Sequence, residues 1–365
     1  MTARPPARRR AVTGTVAGFV LRLARESISL TQVGMAEALG VDLGTVQGRE
    51  SGRRPLANMR AADVLDLRRR LLTLGAETTV LGFIDAAMDA DRLISAALEP
   101  PAELDQHPLA GWVHTRSTAH MIAWALNGTT PPLLRNRSAL SRRGAVPAAP
   151  LLPVAERCAF FENLRTAVDA AAGASDRFVL LRRQALYLAS YDHSAEGVSW
   201  TVHALHGRRD ALICRGWTPR WVEARSTATA LVRQGDTRPL SDFIARAMVD
   251  DDTAEAANLA YWAYWLGALP DAQPDDAFMR ERTDWEPVTL FHNLVQGLHQ
   301  VPGYVDLYAH TLWALLTTHH WLPQAAPGPA ARLGDRATLL LDEGRVSAQG
   351  RRDLEAVHYV LRDHR

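Results

Sequence analysis

Along nearly the whole of this chain apolar residues recur at the three- and four-residue spacing of an amphipathic helix. No run alternates apolar with polar residues between turn signals, as a half-buried strand does. That feature restricts the fold to helices packed on helices, an all-α protein. The first pattern starts near Thr15, where Val16, Phe19, Val20 and Leu23 share a face. Short patterns follow at Thr31–Leu39 and Asp42–Glu50, joined by Gly40, and a longer one runs from Asn58 to about Leu72, before Gly75. Thr79–Leu98 and Ser117–Leu126 continue the series, and from Glu156 onward the periodicity is nearly unbroken. Turns such as Gln234-Gly235-Asp236 suggest stacked helix pairs of tetratricopeptide-like kind, although no strict repeat period can be written.

At 365 residues the chain is longer than one hydrophobic core usually organises. The expected order is a basic flexible arm over 1–14, a small helical domain over 15–75, a helical connector over 76–127, a linker over 128–155 and a large helical domain over 156–365. Between Gly128 and Pro153 lie five prolines, the arginines Arg135, Arg137, Arg142 and Arg143, and no acid, which suits neither helix nor strand. Charge is unevenly divided. Residues 1–75 hold 13 arginines against 6 acids, a net +7, and the remainder holds 28 against 34, a net −6. A positive end of this kind is the electrostatic footprint expected for nucleic acid. All 41 basic residues are arginine, as a GC-rich coding genome produces.

The chemistry-bearing segment of the positive end runs Leu30-Thr31-Gln32, Met35-Ala36-Glu37-Ala38-Leu39-Gly40-Val41, Thr45-Val46 and Glu50-Ser51-Gly52-Arg53-Arg54-Pro55. A helix, a turn containing glycine, a second short helix and a glycine-terminated exit are what a helix-turn-helix requires. Over about residues 16–72 the segment resembles the lambda-repressor-like, Cro/cI-type helix-turn-helix domain of the xenobiotic-response-element family. The resemblance implies a DNA-binding transcriptional regulator whose second short helix, Asp42–Arg49, enters the major groove of double-stranded DNA.

Counted from an N-cap at Asp42, positions 43, 44, 47 and 48 share one face, while Val46 points to the core. They hold Leu43, Gly44, Gln47 and Gly48. Gln47 can read adenine, Leu43 or the Thr45 methyl can touch a thymine methyl, and the glycines read nothing. Two glycines also cost a short helix about 1 kcal/mol each. Gly34 stands where a glutamate would complete a capping box after Thr31. The resemblance further implies a phosphate contact at Gln32 and a buried ion pair between Arg25 and Glu50 that holds the second helix. Arg53 and Arg54, past the exit glycine, are placed to reach the DNA backbone.

The rest of the chain carries no recognisable catalytic motif: there is no P-loop, GxGxxG, GxSxG or HExxH. His203 with His206, His319-His320, and His114 with His120 lack an acid in ligand register, so neither a metal nor another cofactor is expected, and the chain does not read as an enzyme. Two cysteines without CxxC spacing argue against a disulfide framework, and no long apolar run signals a membrane span or a secretory leader, which suits the cytoplasm. All ten tryptophans lie beyond residue 100 and, at i and i+3 as in Trp262-Ala263-Tyr264-Trp265, are read as core or as a lined pocket. The acidic run Asp250-Asp251-Asp252 reads as a capped helix start. The expected protein is a homodimeric regulator with an unidentified effector or protein partner at its helical half. The alternative is an antitoxin-like or scaffold protein whose helix-turn-helix no longer reads bases.

Overall fold

The computed structural model describes residues 14–135, 147–172, 176–206, 212–281, 284–298, 302–344 and 346–363. The protein is all-α, with no strand among the described residues. The chain divides into two compact units, the first ending at residue 174 and the second beginning at 175.

The first unit contains α1 (Thr15–Ser27), α2 (Gln32–Leu39), α3 (Leu43–Glu50), α4 (Ala61–Thr73), the single turn α5 (Thr78–Leu81), α6 (Ile84–Leu98), the single turn α7 (Pro108–Gly111), α8 (Arg116–Asn127) and α9 (Val154–Ala172). Its centre is α1. The expected face of Val16, Phe19, Val20 and Leu23 is buried, and so are Ala17, Leu21 and Ala24 on the other sides, because α3, α5, α6 and α8 all pack against this helix. Phe19 meets Trp124 of α8 edge to face at 5.0 Å. A helix whose first turn is packed in this way cannot send its Val16 and Ala17 amides to water. Here Asp91 of α6 supplies the acceptor, its two carboxylate oxygens taking the Val16 and Ala17 amides at 2.9 Å each. Asp91 is 2% exposed, and burial pushes its carboxyl up to about 7 against the pull of those two donors.

The boundary between the units falls later than the sequence suggests. Helix α9 packs on α6, with the Asn163 amide donating to the Ala97 carbonyl at 2.8 Å, so it belongs to the first unit and not to the large helical domain. The ends of the expected linker are packed as well. Leu134 and Leu152 are buried, and the Leu152 amide donates to the Ala125 carbonyl at 2.9 Å. Arg135 is exposed, whereas Arg137, Arg142 and Arg143, like the basic arm, lie outside the described residues.

The second unit contains α10 (Val179–Ala189), α11 (Ala195–His206), α12 (Trp221–Arg233), α13 (Arg238–Ala247), α14 (Asp252–Trp265), α15 (Pro287–Gly297), α16 (Val305–Thr318), the single turn α17 (Leu322–Ala325), α18 (Pro327–Glu343) and α19 (Ala348–Asp363). Successive helices pack as α12 on α13, α15 on α16 and α18 on α19, and α16 also touches α14 and α19. The expected turn at Gly235 is present, with φ at 89° in the left-handed region that favours glycine. Asp251 caps α14 by accepting from the Ala254 amide at 2.8 Å. Trp221, Phe243 and Phe291 fill the core, and the Trp221 indole donates to the Ala247 carbonyl at 2.8 Å. Trp262 is buried too, but Trp321 stands exposed, so the tryptophans are not uniformly core. Among the described residues no helix is long and apolar enough to cross a membrane.

Candidate nucleic-acid interface

Both short helices of the positive end begin on side-chain caps. The Thr31 hydroxyl accepts from the Gly34 amide at 3.0 Å to start α2. Asp42 accepts from the Thr45 amide at 2.7 Å and from the Thr45 hydroxyl at 2.5 Å to start α3. The same two donors, the hydroxyl first, hold the Asp42 carboxyl below its ordinary value. Between the helices Gly40 turns the chain at φ 66°, and the Val41 amide reaches back to the Ala36 carbonyl at 3.0 Å. Arg70 of α4 completes that end by donating to the Leu39 carbonyl at 2.6 Å.

At its far end α3 is pinned. The Arg25 guanidinium grips the Glu50 carboxylate with Nε at 2.6 Å and Nη2 at 3.1 Å, and its Nη1 donates to the Leu30 carbonyl at 2.7 Å. The Glu50 side chain is 4% exposed. One arginine of α1 thus ties the loop before α2 to the end of α3. Gly18 lets the helices come this close: a Cβ there would lie 2.4 Å from the Arg49 carbonyl oxygen and 2.7 Å from that of Glu50. Gln32, expected on a phosphate, instead donates from Nε2 to Glu50 Oε2 at 2.8 Å.

The outward face of α3 differs from its sequence pattern at one residue. Leu43, at 38% exposure, Gly44 and Gln47 are open, and Val46 is buried as expected. Gly48, expected on the open face, is buried. Arg54 covers it. A Cβ on Gly48 would lie 3.0 Å from Arg54 Cδ and 3.1 Å from Cγ, so the aliphatic stem rests where that atom would be. The Arg54 amide donates to the Gly48 carbonyl at 2.8 Å, and its Nη1 donates to the Thr45 hydroxyl at 2.7 Å. Arg54 therefore does not simply follow the exit glycine outward. It folds back along α3 and sets a guanidinium beside Thr45, on a face whose own residues carry no cation at those slots. Arg53 is exposed, its Nε on the Ser51 hydroxyl at 3.2 Å.

Two features lie outside the sequence reading: the Gly48–Arg54 contact and the Asp91 carboxylate. Asp91 has a sequence signal, an acid on the apolar face that Ile84, Ala87 and Ile94 define along α6. Among the described residues no group of three or more His, Cys, Asp or Glu side chains is placed to hold a metal ion. Comparison with known proteins finds no matching family model, no similar curated protein and no similar solved structure.

Proposed function

We propose that the protein is a sequence-specific DNA-binding regulator of bacterial type, in which α3 lies in the major groove and the second unit responds to an effector or partner. The observation that carries this reading is a short helix held from behind by the Arg25–Glu50 pair. Its opposite face offers the Gln47 amide and the Arg54 guanidinium, with Leu43 and Asp42 exposed as well. Gln47 suits adenine, Arg54 suits guanine, and Leu43 suits a thymine methyl. So short a helix contacts few base pairs, which favours a homodimer on two half-sites one helical turn apart. The tetratricopeptide-like stacking expected of the second unit belongs to the same proposal, and the packing of successive helices is consistent with it.

Variants measured on the preferred site at several salt concentrations test this. Gln47→Ala and Arg54→Ala should each lose about 1–3 kcal/mol on that site and little on unrelated DNA. Arg53→Ala should weaken all sequences alike and lower the salt slope by about 0.9. Equal losses on all DNA for all three would leave α3 without a reading role. A scaffold or antitoxin-like role draws on Gly44, an open position with nothing to offer a base. On that role a pulldown recovers a stable partner while binding selection returns no motif.

A further inference from the structure

Buried and half-buried arginines are ordinarily paired with acids, and two in the second unit follow that rule: Arg182 with Glu223 at 2.9 Å, and Arg183 with Asp276. Two others do not. Arg225, one turn into α12, is 4% exposed, and no carboxylate among the described residues pairs with it. Its guanidinium lies over the Tyr261 ring at 3.8 Å and 5.3 Å from the centre of Trp262. Its Nε donates to Asn258 Oδ1 at a long 3.4 Å, and the Asn258 amide is oriented by donating to the Thr311 hydroxyl at 2.9 Å. Burial, with repulsion from neighbouring Arg183, pulls Arg225 below the ordinary arginine value despite Tyr261.

Arg233, eight residues further on and about 12 Å along the helix axis, is half-buried over Tyr187 at 3.9 Å and Tyr191 at 4.6 Å. It donates to the Tyr187 carbonyl at 3.2 Å and the Ser190 hydroxyl at 2.6 Å, and it too has no acid among the described residues. The rings between them are continuous: Tyr261 stacks on Trp265 at 6.2 Å, and Trp265 meets Tyr187 at 5.6 Å. One aromatic wall therefore runs inward from the half-buried Arg233 to the buried Arg225.

Despite burial, Tyr187, Tyr191 and Tyr304 hold Arg233 above the ordinary arginine value, whereas at Arg225 the ring faces do not offset the charge. A desolvated cation–π contact returns less than it costs to take a guanidinium out of water. An oxyanion seated in the guanidinium fork supplies what is missing, and a flat organic body finds ring faces beside it. We propose that this wall is a binding site for a small organic oxyanion, a carboxylate or phosphate on a planar unsaturated body, held in the Arg225 fork, with Arg233 at the outer end of the wall. The site gives a ligand class to the effector role proposed above, and it is tested without DNA so that either proposal can fail alone.

The test is thermal unfolding of the full chain titrated with sodium benzoate or inorganic phosphate at low-millimolar concentration and fixed ionic strength. The wild type should show a saturable Tm rise, on the order of a few degrees. A response to benzoate alone marks a carboxylate site, and a response to phosphate marks a phosphate site. Arg225→Met should melt at or above the wild type, having lost an uncompensated charge, and should lose the anion response. Arg225→Lys keeps the charge without the fork, so its anion affinity should fall about tenfold, which covers a methionine variant that fails to fold. No shift with either probe overturns the proposal, as does an equal shift in the lysine variant, or a methionine variant that folds but melts well below the wild type.

Discussion

Two glycines in helices of the first unit present the same chemistry and opposite consequences when replaced by alanine. Intrinsic helix propensity favours either replacement by about 1 kcal/mol. At Gly18 the new Cβ would meet backbone oxygens of α3 at 2.4 and 2.7 Å, atoms that cannot move without displacing the helix. Overpacking of that kind costs about 1–3 kcal/mol, so Gly18→Ala should be destabilising by up to about 2 kcal/mol net. It should also loosen the Arg25–Glu50 contact that α3 depends on. At Gly48 the new Cβ meets only the flexible stem of Arg54, at 3.0 and 3.1 Å. That stem can lift by a few tenths of an ångström, so Gly48→Ala should leave stability unchanged or raise it by up to about 1 kcal/mol. The lifted guanidinium should then read DNA differently. Urea unfolding followed by far-ultraviolet circular dichroism gives both stabilities, and competition binding gives the preference. If both alanines stabilise alike, α1 and α3 do not approach as described and the pinned-helix account fails.

Three further outcomes follow from the same geometry. Glu50→Ala leaves Arg25 buried without its anion and should cost about 3–5 kcal/mol. In urea melts the double variant Arg25→Met with Glu50→Leu should recover most of that, while gel-shift affinity stays low because the tie to the Leu30 carbonyl is gone. Asp91 is held near 7 in the folded chain against about 3.9 unfolded, so the native state binds the proton more strongly. Stability from this group is complete below pH about 3.9 and lost as pH rises to 7, on the order of a few kcal/mol at most. Asp91→Asn should flatten that decline in melts recorded across the same range, and an unchanged slope would show that Asp91 does not cause it.

Much of the first unit was legible because its signals are local. Asp42 with Thr45 three residues on, and Thr31 ahead of α2, are caps that sequence alone can place. Gly40 and Gly75 mark stops whose left-handed φ only glycine adopts easily. What escaped depends on distant segments. Helical geometry puts residue 48 on the same face as 43, 44 and 47, and it stays open only if nothing returns to cover it. Arg54, six residues later, does return, and the missing Cβ is what admits its stem. The sequence likewise gives no hint that Gln32 turns to Glu50, since a polar residue at a helix start is equally suited to phosphate. The sequence sets α9 beyond a proline-rich segment, and the apolar residues of that segment, Leu134 and Leu152, are packed. Arg225 and Arg233 resemble any surface arginines in sequence, and only the packing of α12 against α10 makes their burial visible.

The decisive measurement is selection of bound duplexes from a randomised pool by the full chain, followed by the same selection with Gln47 and Arg54 both changed to alanine. The wild type should enrich a pseudo-palindrome with half-sites one helical turn apart, and the double variant should enrich nothing while still binding DNA at low salt. A wild-type pool that remains random, or one unchanged by the two substitutions, would contradict placement of α3 in the groove.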